Sequence, residues 1–282
     1  MENESKIFSK DTFKEYLGKK EYISASNIKS FLKSPKFYFY EKYEKTEKDE
    51  GRHFAIGSAL HELIMEPELF HSNYIVTQKF DRRTKVGKQE YTDFLEANKN
   101  KTLINEDEME MITKMIGNVT SNQTFMSLLN DSHREMSVYV TDKETGLKLK
   151  MRPDILCINR STIVDIKSCI ESTPKSFKSS VYNYGYNISA AFYMDYVGKE
   201  NYVFAAIEKQ QPYQIGLYSL SDDMIDYGRL QYKMALSLLK WSYDNNYWCD
   251  HNEFEILKEC YQLGNLDSFL QTIDKSEKIT IL

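Results

Sequence analysis

The chain has 282 residues, 41% of them hydrophobic and 28% charged, with a formal net charge of −5 at neutral pH. That composition supports one sizeable core, as a single domain with elaborations, and excludes a uniformly basic nucleic-acid coat while leaving room for a local basic lining. No apolar run approaches the ~20 residues of a membrane helix, and the start MENESKIFSKD lacks the apolar centre of a signal peptide, so a soluble, cytoplasmic protein without a membrane partner is expected.

Residues 1–23 read as an N-terminal extension. Ser24 or Ser26 can cap a short helix that carries Ile28, Phe31 and Leu32 to a break at Ser34-Pro35, followed by the aromatic run Phe37 to Tyr40. From about Phe54 to Met65 the spacing of Ile56, Leu60, Leu63 and Ile64 predicts a helix, which bears His61 and is ended by Glu66-Pro67. A basic stretch, Lys79 to Lys101, comes next. Glu106 to Ile116 and Thr124 to Leu129 are predicted helices, so 24–130 is expected to be mainly helical. Residues 131–248 are expected to hold the sheet core, with Met136 to Thr141 as its first strand and Lys143-Glu144-Thr145-Gly146 as a hairpin turn. Leu147, Leu149 and Met151 then alternate with Lys148, Lys150 and Arg152 and lead into Ile155, Leu156 and Ile158. The triplet Asn159-Arg160-Ser161 turns the chain into an antiparallel strand through Ile163, Val164 and Ile166. Beyond it come a predicted helix over Tyr186 to Val197, strands over Val203 to Ile207 and Gln214 to Leu220 about the Gln211-Pro212 turn, and a long amphipathic helix over Asp222 to Asn245 capped by Ser221. Residues 249–282 read as a C-terminal tail. This order predicts an α/β fold with a mixed central sheet flanked by helices.

Chemistry concentrates in MRPDILCINRSTIVDIKSC. Asp165 and Lys167 are two apart on a strand and share a face, and folding the hairpin brings Asp154 opposite them. Two converging carboxylates repel unless a cation bridges them, and hard oxygen ligands select Mg²⁺, with Mn²⁺ as a substitute. The backbone carbonyl of Ile166 is available to the same ion, and Lys167 can orient a water or offset charge at an attacked phosphate. This is the equipment of a phosphodiester hydrolase. Lys150 and Arg152 precede Asp154 at alternate positions, so a regular strand would turn them to the same phosphate. Tyr186 and Tyr193 are seven apart, two helical turns, a spacing that suits core packing or stacking on a nucleotide. Cys157, Cys169, Cys249 and Cys260 show no CxxC pairing, so free thiols and no iron–sulfur cluster are expected.

Pro153-Asp154 and Asp165-Ile166-Lys167 resemble the two halves of the PD-(D/E)xK nuclease motif. SASNIKSFLKSP, IGSALHELIMEPELF, DRRTKVGKQEY, REMSVYV and YGYNISAAFYMDY are similar, in that order, to segments of the exodeoxyribonuclease VIII (RecE-type) and RecB-like branch, from about Ser24 to Trp248. The resemblance implies a restriction-endonuclease-like core with a helical N-terminal elaboration. It also implies a metal-dependent deoxyribonuclease that digests linear double-stranded DNA from its ends, 5′ to 3′, in phage or prophage recombination. His61 and Glu135 match positions that present a histidine and a carboxylate to the metal, joining Asp154, Asp165 and Ile166. Arg83 and Lys88 match the family's RRTKVGK string and are expected to meet DNA. Ser189 stands where the family usually has glutamine, a departure that Asn187 or Gln210 could offset. A ring-shaped homo-oligomer and a single-strand annealing partner are further implications. The alternatives are a restriction-like or structure-specific endonuclease on the same fold and a degenerate DNA-binding module without activity.

Overall fold

A computed structural model describes residues 6–45, 52–269 and 271; the last part of the expected tail lies outside them. The N-terminal stretch is built in. Strand β1 (Ile7–Ser9) is followed by helix α1 (Phe13–Gly18), where Thr12 and Glu15 form a capping box. Helix α2 (Ala25–Lys33) begins at Ser24, whose hydroxyl accepts the Asn27 N–H at 3.3 Å, and Ser34 then caps α3 (Pro35–Phe39). Of the two expected caps, Ser24 is the one used. Helix α4 (Arg52–Met65) starts two residues earlier than its apolar spacing predicts.

Next come α5 (Phe70–Asn73), β2 (Tyr74–Thr77), α6 (Lys85–Ala97), β3 (Thr102–Asn105), α7 (Glu106–Ser121) and α8 (Gln123–Asn130), with β2 and β3 paired in parallel. Both strands escape the sequence reading because each is only four residues long. The rest of the chain supplies β4 (Ser132–Arg134), β5 (Ser137–Thr141), β6 (Lys148–Met151), β7 (Ile155–Cys157), β8 (Thr162–Cys169), α9 (Pro174–Asn183) and α10 (Tyr186–Tyr193). These lead to β9 (Asn201–Glu208), β10 (Ile215–Ser219), α11 (Asp222–Asn245) and α12 (His251–Gln262).

The central sheet is mixed, in the order β10-β9-β8-β7-β4, with β8 and β9 parallel and the other neighbours antiparallel. A separate antiparallel sheet has the order β1-β5-β6. The run from Leu147 to Ile158 is therefore not one strand. Pro153 can donate no ladder hydrogen bond, and the chain leaves one sheet at Met151 to enter the other at Ile155.

Alternation along β8 feeds two apolar clusters. Val164 and Ile166 face Ala59, Leu60, Ile112 and Phe125 of α4, α7 and α8, and Ile163 faces Ile28, Ala191, Leu238 and Phe254 of α2, α10, α11 and α12. The segment expected as a tail thus contributes α12 to the core, with Phe254 edge-on to Phe31 at 5.4 Å. Ser221 stands at the head of α11, but its side chain makes no capping bond there. Among the described residues, no helix is long and apolar enough to cross a membrane.

Candidate active site

The antiparallel pairing of β7 with β8 starts at Ile155 and Val164, and the two strands part beyond it. Asp154 occupies the opening. Its Oδ2 accepts the N–H of Ile166 at 2.6 Å. Because the N–H and C=O of one strand residue share an edge, the Ile166 carbonyl faces the same gap.

Helix α4 reaches this gap because Gly57 lets it lie close on β8. A Cβ there would stand 2.9 Å from Ser168 Oγ. One turn later His61 puts Nε2 3.2 Å from Asp154 Oδ1 and 3.4 Å from Glu135 Oε1. Glu135 sits at the joint of β4 and β5 with φ of 54°, a conformation uncommon outside glycine, and its N–H donates to the Asp154 carbonyl at 3.0 Å. Its Oε2 takes Arg152 Nε at 2.5 Å, and Arg152 is anchored by the Asp11 carbonyl at 2.6 Å and Ser137 Oγ at 3.2 Å. Glu135 Oε1 is buried without a hydrogen bond.

One ligand atom from each of His61, Glu135 and Asp154 lies within 4.8 Å of the others. An unbonded buried carboxylate oxygen, a second carboxylate and an imidazole form a donor set that fits a divalent cation. Asp165 stands beside this cluster rather than in it. Alternation along β8 turns Asp165 and Lys167 toward α2 and α10, and Asp165 Oδ2 is held 2.5 Å from Lys167 Nζ. The two aspartates still sense each other. Burial, then the Asp154 charge, raises the Asp165 carboxyl against the pull of Lys167.

The electrostatics are those of a site short of positive charge. Burial disfavours the His61 imidazolium, but Asp154 and Glu135 outweigh it and hold His61 at about 9. Burial and the Asp154 charge push Glu135 up to about 7. Burial also opposes the Asp154 anion, yet His61 and Lys167 prevail and lower its pKa. Lys167 stays fully charged, because Asp165 and Asp154 overcome its desolvation.

The expected DNA-facing residues divide. Lys150 is a correction: it is buried, with Nζ on the carbonyls of Tyr16 at 2.6 Å and Lys19 at 2.9 Å, where it closes the C-terminal end of α1. Arg152 is also turned inward, as the support of Glu135. The regular strand that would have aimed both at a phosphate is broken at Pro153. Arg83 and Lys88 are exposed; Arg83 pairs with Asp81 at 2.9 Å beside a cleft of about 690 Å³ lined by Lys79, Phe80, Asp81, Arg82 and Arg83. Tyr193 accepts the Arg152 N–H at 3.4 Å, and Tyr186 stacks on Phe204 with Lys167 Nζ 5.3 Å from its ring centre. Ser189 is half-buried on α10, its N–H bonded to the Gly185 carbonyl. Asn187 cannot stand in for the missing glutamine, because it is buried with its amide on Gln231 at 2.9 Å. Lys29, which the sequence reading passes over, joins the site from α2 and senses Lys167 and Asp165. It borders the apolar face of Ile28, Phe31 and Leu32, and no spacing rule marks it out.

A mixed sheet whose hairpin carries an aspartate just before one strand and Asp-x-Lys on the next defines a PD-(D/E)xK-type core. Residues 24–259 match the family described as a PDDEXK-like domain of unknown function (DUF3799), and the chain belongs to that family. None of the curated proteins matches the sequence. Among solved structures, a candidate exonuclease from Eubacterium rectale shares the fold, with a TM-score of 0.57 at 16% identity over 82% of this chain and 87% of that one. An alkaline exonuclease from Laribacter hongkongensis (TM-score 0.33, 11% identity, 83% of this chain and 95% of that one) and a phage-related exonuclease from Haemophilus somnus (0.33, 11%, 67% and 95%) align too loosely to carry an argument.

Proposed function

We propose that this chain is a divalent-metal-dependent deoxyribonuclease that hydrolyses linear duplex DNA from its ends, 5′ to 3′, in the manner of the RecE-type enzymes its motifs resemble. The observation that carries the reading is the juxtaposition of His61 Nε2, Glu135 Oε1 and Asp154 Oδ1, with the Asp165–Lys167 pair on the adjoining strand. His61, Glu135 and Asp154 would hold Mg²⁺ or Mn²⁺, with Asp165 and the Ile166 carbonyl at its border. A divalent ion there supplies Lewis acidity and neutralises charge at the phosphate.

The remaining chemistry falls to the chain itself. Lys167, fixed by Asp165, orients the attacking water and offsets charge that builds on the phosphoryl oxygens. Water adds to phosphorus, the 3′ oxygen leaves with a proton, and a 5′-phosphorylated nucleotide is released. Arg152 holds the Glu135 carboxylate in place and so sets the donor geometry. Exposed Arg83 and Lys88 supply charge along the path of the duplex, and Tyr186 and Tyr193 brace the floor. A ring-shaped oligomer, a single-strand annealing partner and a role in recombination belong to the same reading.

End-labelled linear duplex, with and without Mg²⁺ and beside a covalently closed circle, tests it. The expected result is metal-dependent release of nucleotides from the 5′ ends, an intact circle, and no release by Asp165→Ala despite an unchanged circular dichroism spectrum. A cut circle would instead favour an endonuclease. Absence of hydrolysis with any divalent ion would leave a DNA-binding module.

A further inference from the structure

Lys29 belongs to the N-terminal helix α2, far in sequence from the Asp-x-Lys strand, yet its side chain ends beside that strand. The path is made by Gly185. This residue adopts φ of 61° at the head of α10, and a Cβ on it would lie 3.0 Å from Lys29 Cδ, so the bare glycine leaves the channel through which the lysine stem runs. Lys29 Nζ stands 6.0 Å from the centre of the Tyr186 ring, and Lys167 Nζ stands 5.3 Å from the same point. Two ammonium groups thus converge on one aromatic ring.

Their charges are unequally answered. Lys167 is neutralised by Asp165, whereas Lys29, half-buried, makes no hydrogen bond or ion pair among the described residues. Burial and the Lys167 charge push the Lys29 ammonium down to about 8, with Asp165 opposing only in part. A cation held there without a paired anion is costly, and an anion that entered from solvent would relieve it. The aromatic surface continues to solvent from there: Tyr184, 61% exposed, has its ring 5.6 Å from that of Tyr186.

We propose that Lys29 binds a backbone phosphate of the DNA strand near the scissile one, so that two lysines from distant parts of the chain grip successive parts of one strand. The assignment rests on the nuclease reading above and adds to it a second phosphate subsite. Since both ammonium groups lie around one ring centre, they are at most about 11 Å apart. Because the strand winds about the duplex axis, its phosphates lie farther apart through space than the ~3.4 Å axial rise per nucleotide, so this separation suits adjacent or next-nearest phosphates. Tyr184 offers an exposed ring to the bases between them, while Tyr186, stacked on Phe204, forms the floor.

The test is equilibrium binding of an end-labelled linear duplex in calcium, over roughly 50 to 200 mM salt. Lys29→Met keeps the stem over Gly185 and removes the charge, with Lys29→Gln as a second neutral replacement should the first fail to fold. The expected result is binding weakened about tenfold at low salt and a slope of log affinity against log salt smaller by about one, while Lys29→Arg keeps the wild-type slope. A neutral variant with the wild-type slope would overturn the assignment, as would an equal loss in Lys29→Arg. If the wild-type protein shows neither salt-dependent DNA binding nor metal-dependent cleavage, the nuclease reading itself fails. If it shows both while the neutral variants keep its slope, only the Lys29 subsite fails.

Discussion

At the scale of single residues, the candidate centre competes for protons. His61, held at about 9 by its carboxylate neighbours, and Glu135, raised to about 7 by burial and Asp154, both carry protons through much of the neutral range. A cation must displace them, because only the neutral imidazole and the ionised carboxylate are ligands. Mg²⁺ affinity is therefore expected to rise with pH. The steepest rise lies below about 7, where both groups must be deprotonated; from there to about 9 only His61 contributes, at about tenfold per pH unit. Above 9 the affinity levels off. In the metal-free protein the sign is opposite: the stabilising charge on His61 is fully present below its ordinary value of 6.5 and is lost as pH rises through about 9. Calorimetric titration in buffers of different ionisation enthalpy reads the released protons directly. An affinity that does not change with pH would show that the ion, if any, binds elsewhere.

At the scale of elements, α10 and α11 cross at their backbones. A Cβ on Gly228 would stand 2.3 Å from the Asn187 carbonyl oxygen, in a helix whose own hydrogen bonds hold that oxygen in place. Two effects of Gly228→Ala oppose each other. Alanine improves the helix by about 1 kcal/mol, whereas overpacking typically costs about 1–3 kcal/mol, and here the obstacle is backbone rather than a side chain that could swing away. The cost is expected to win, with the variant about 1–2 kcal/mol less stable in urea denaturation. A variant as stable as wild type would mean that the two helices slide apart freely. The same contact shows what sequence reading could see. The periodicity of α11 marked the helix to the residue, and the hairpin turn at Asn159-Arg160-Ser161 marked the pairing of β7 with β8. Nothing in Gly228 itself indicated which helix it touches. The β6–β7 boundary is hidden for a related reason: alternation continues through Pro153, and only the missing N–H of proline, weighed against that alternation, shows where one sheet ends and another begins.

At the scale of the whole molecule, the candidate centre is a meeting of parts that are far apart in the chain. His61 comes from α4, Glu135 from the β4–β5 joint, Asp154 from the start of β7 and Asp165–Lys167 from β8, while Arg152 ties Glu135 to Asp11 near the N-terminus. The motif halves were legible because they lie in one hairpin. The grouping of His61 with Glu135 and Asp154, and the separation of Asp165 from them, depend on which face of β8 each helix covers, which no local pattern encodes. A cation that binds such a centre links α4 to both sheets and should stabilise the fold as a unit. At a concentration ~100 times its dissociation constant, the ion adds about 2.7 kcal/mol to the native state, which for a chain of this size raises the melting temperature by roughly 4–5 °C. Thermal unfolding with and without Mg²⁺ or Mn²⁺ reads the shift. Asp154→Asn removes a charged ligand while its side-chain oxygen can still accept the Ile166 N–H, so the variant is expected to fold yet lose most of the metal-induced rise. Lys29→Met, which touches no ligand, is expected to keep it. A full rise in Asp154→Asn would place the stabilising ion outside the cluster of His61, Glu135 and Asp154, and would remove the basis for assigning hydrolysis to this end of the sheet.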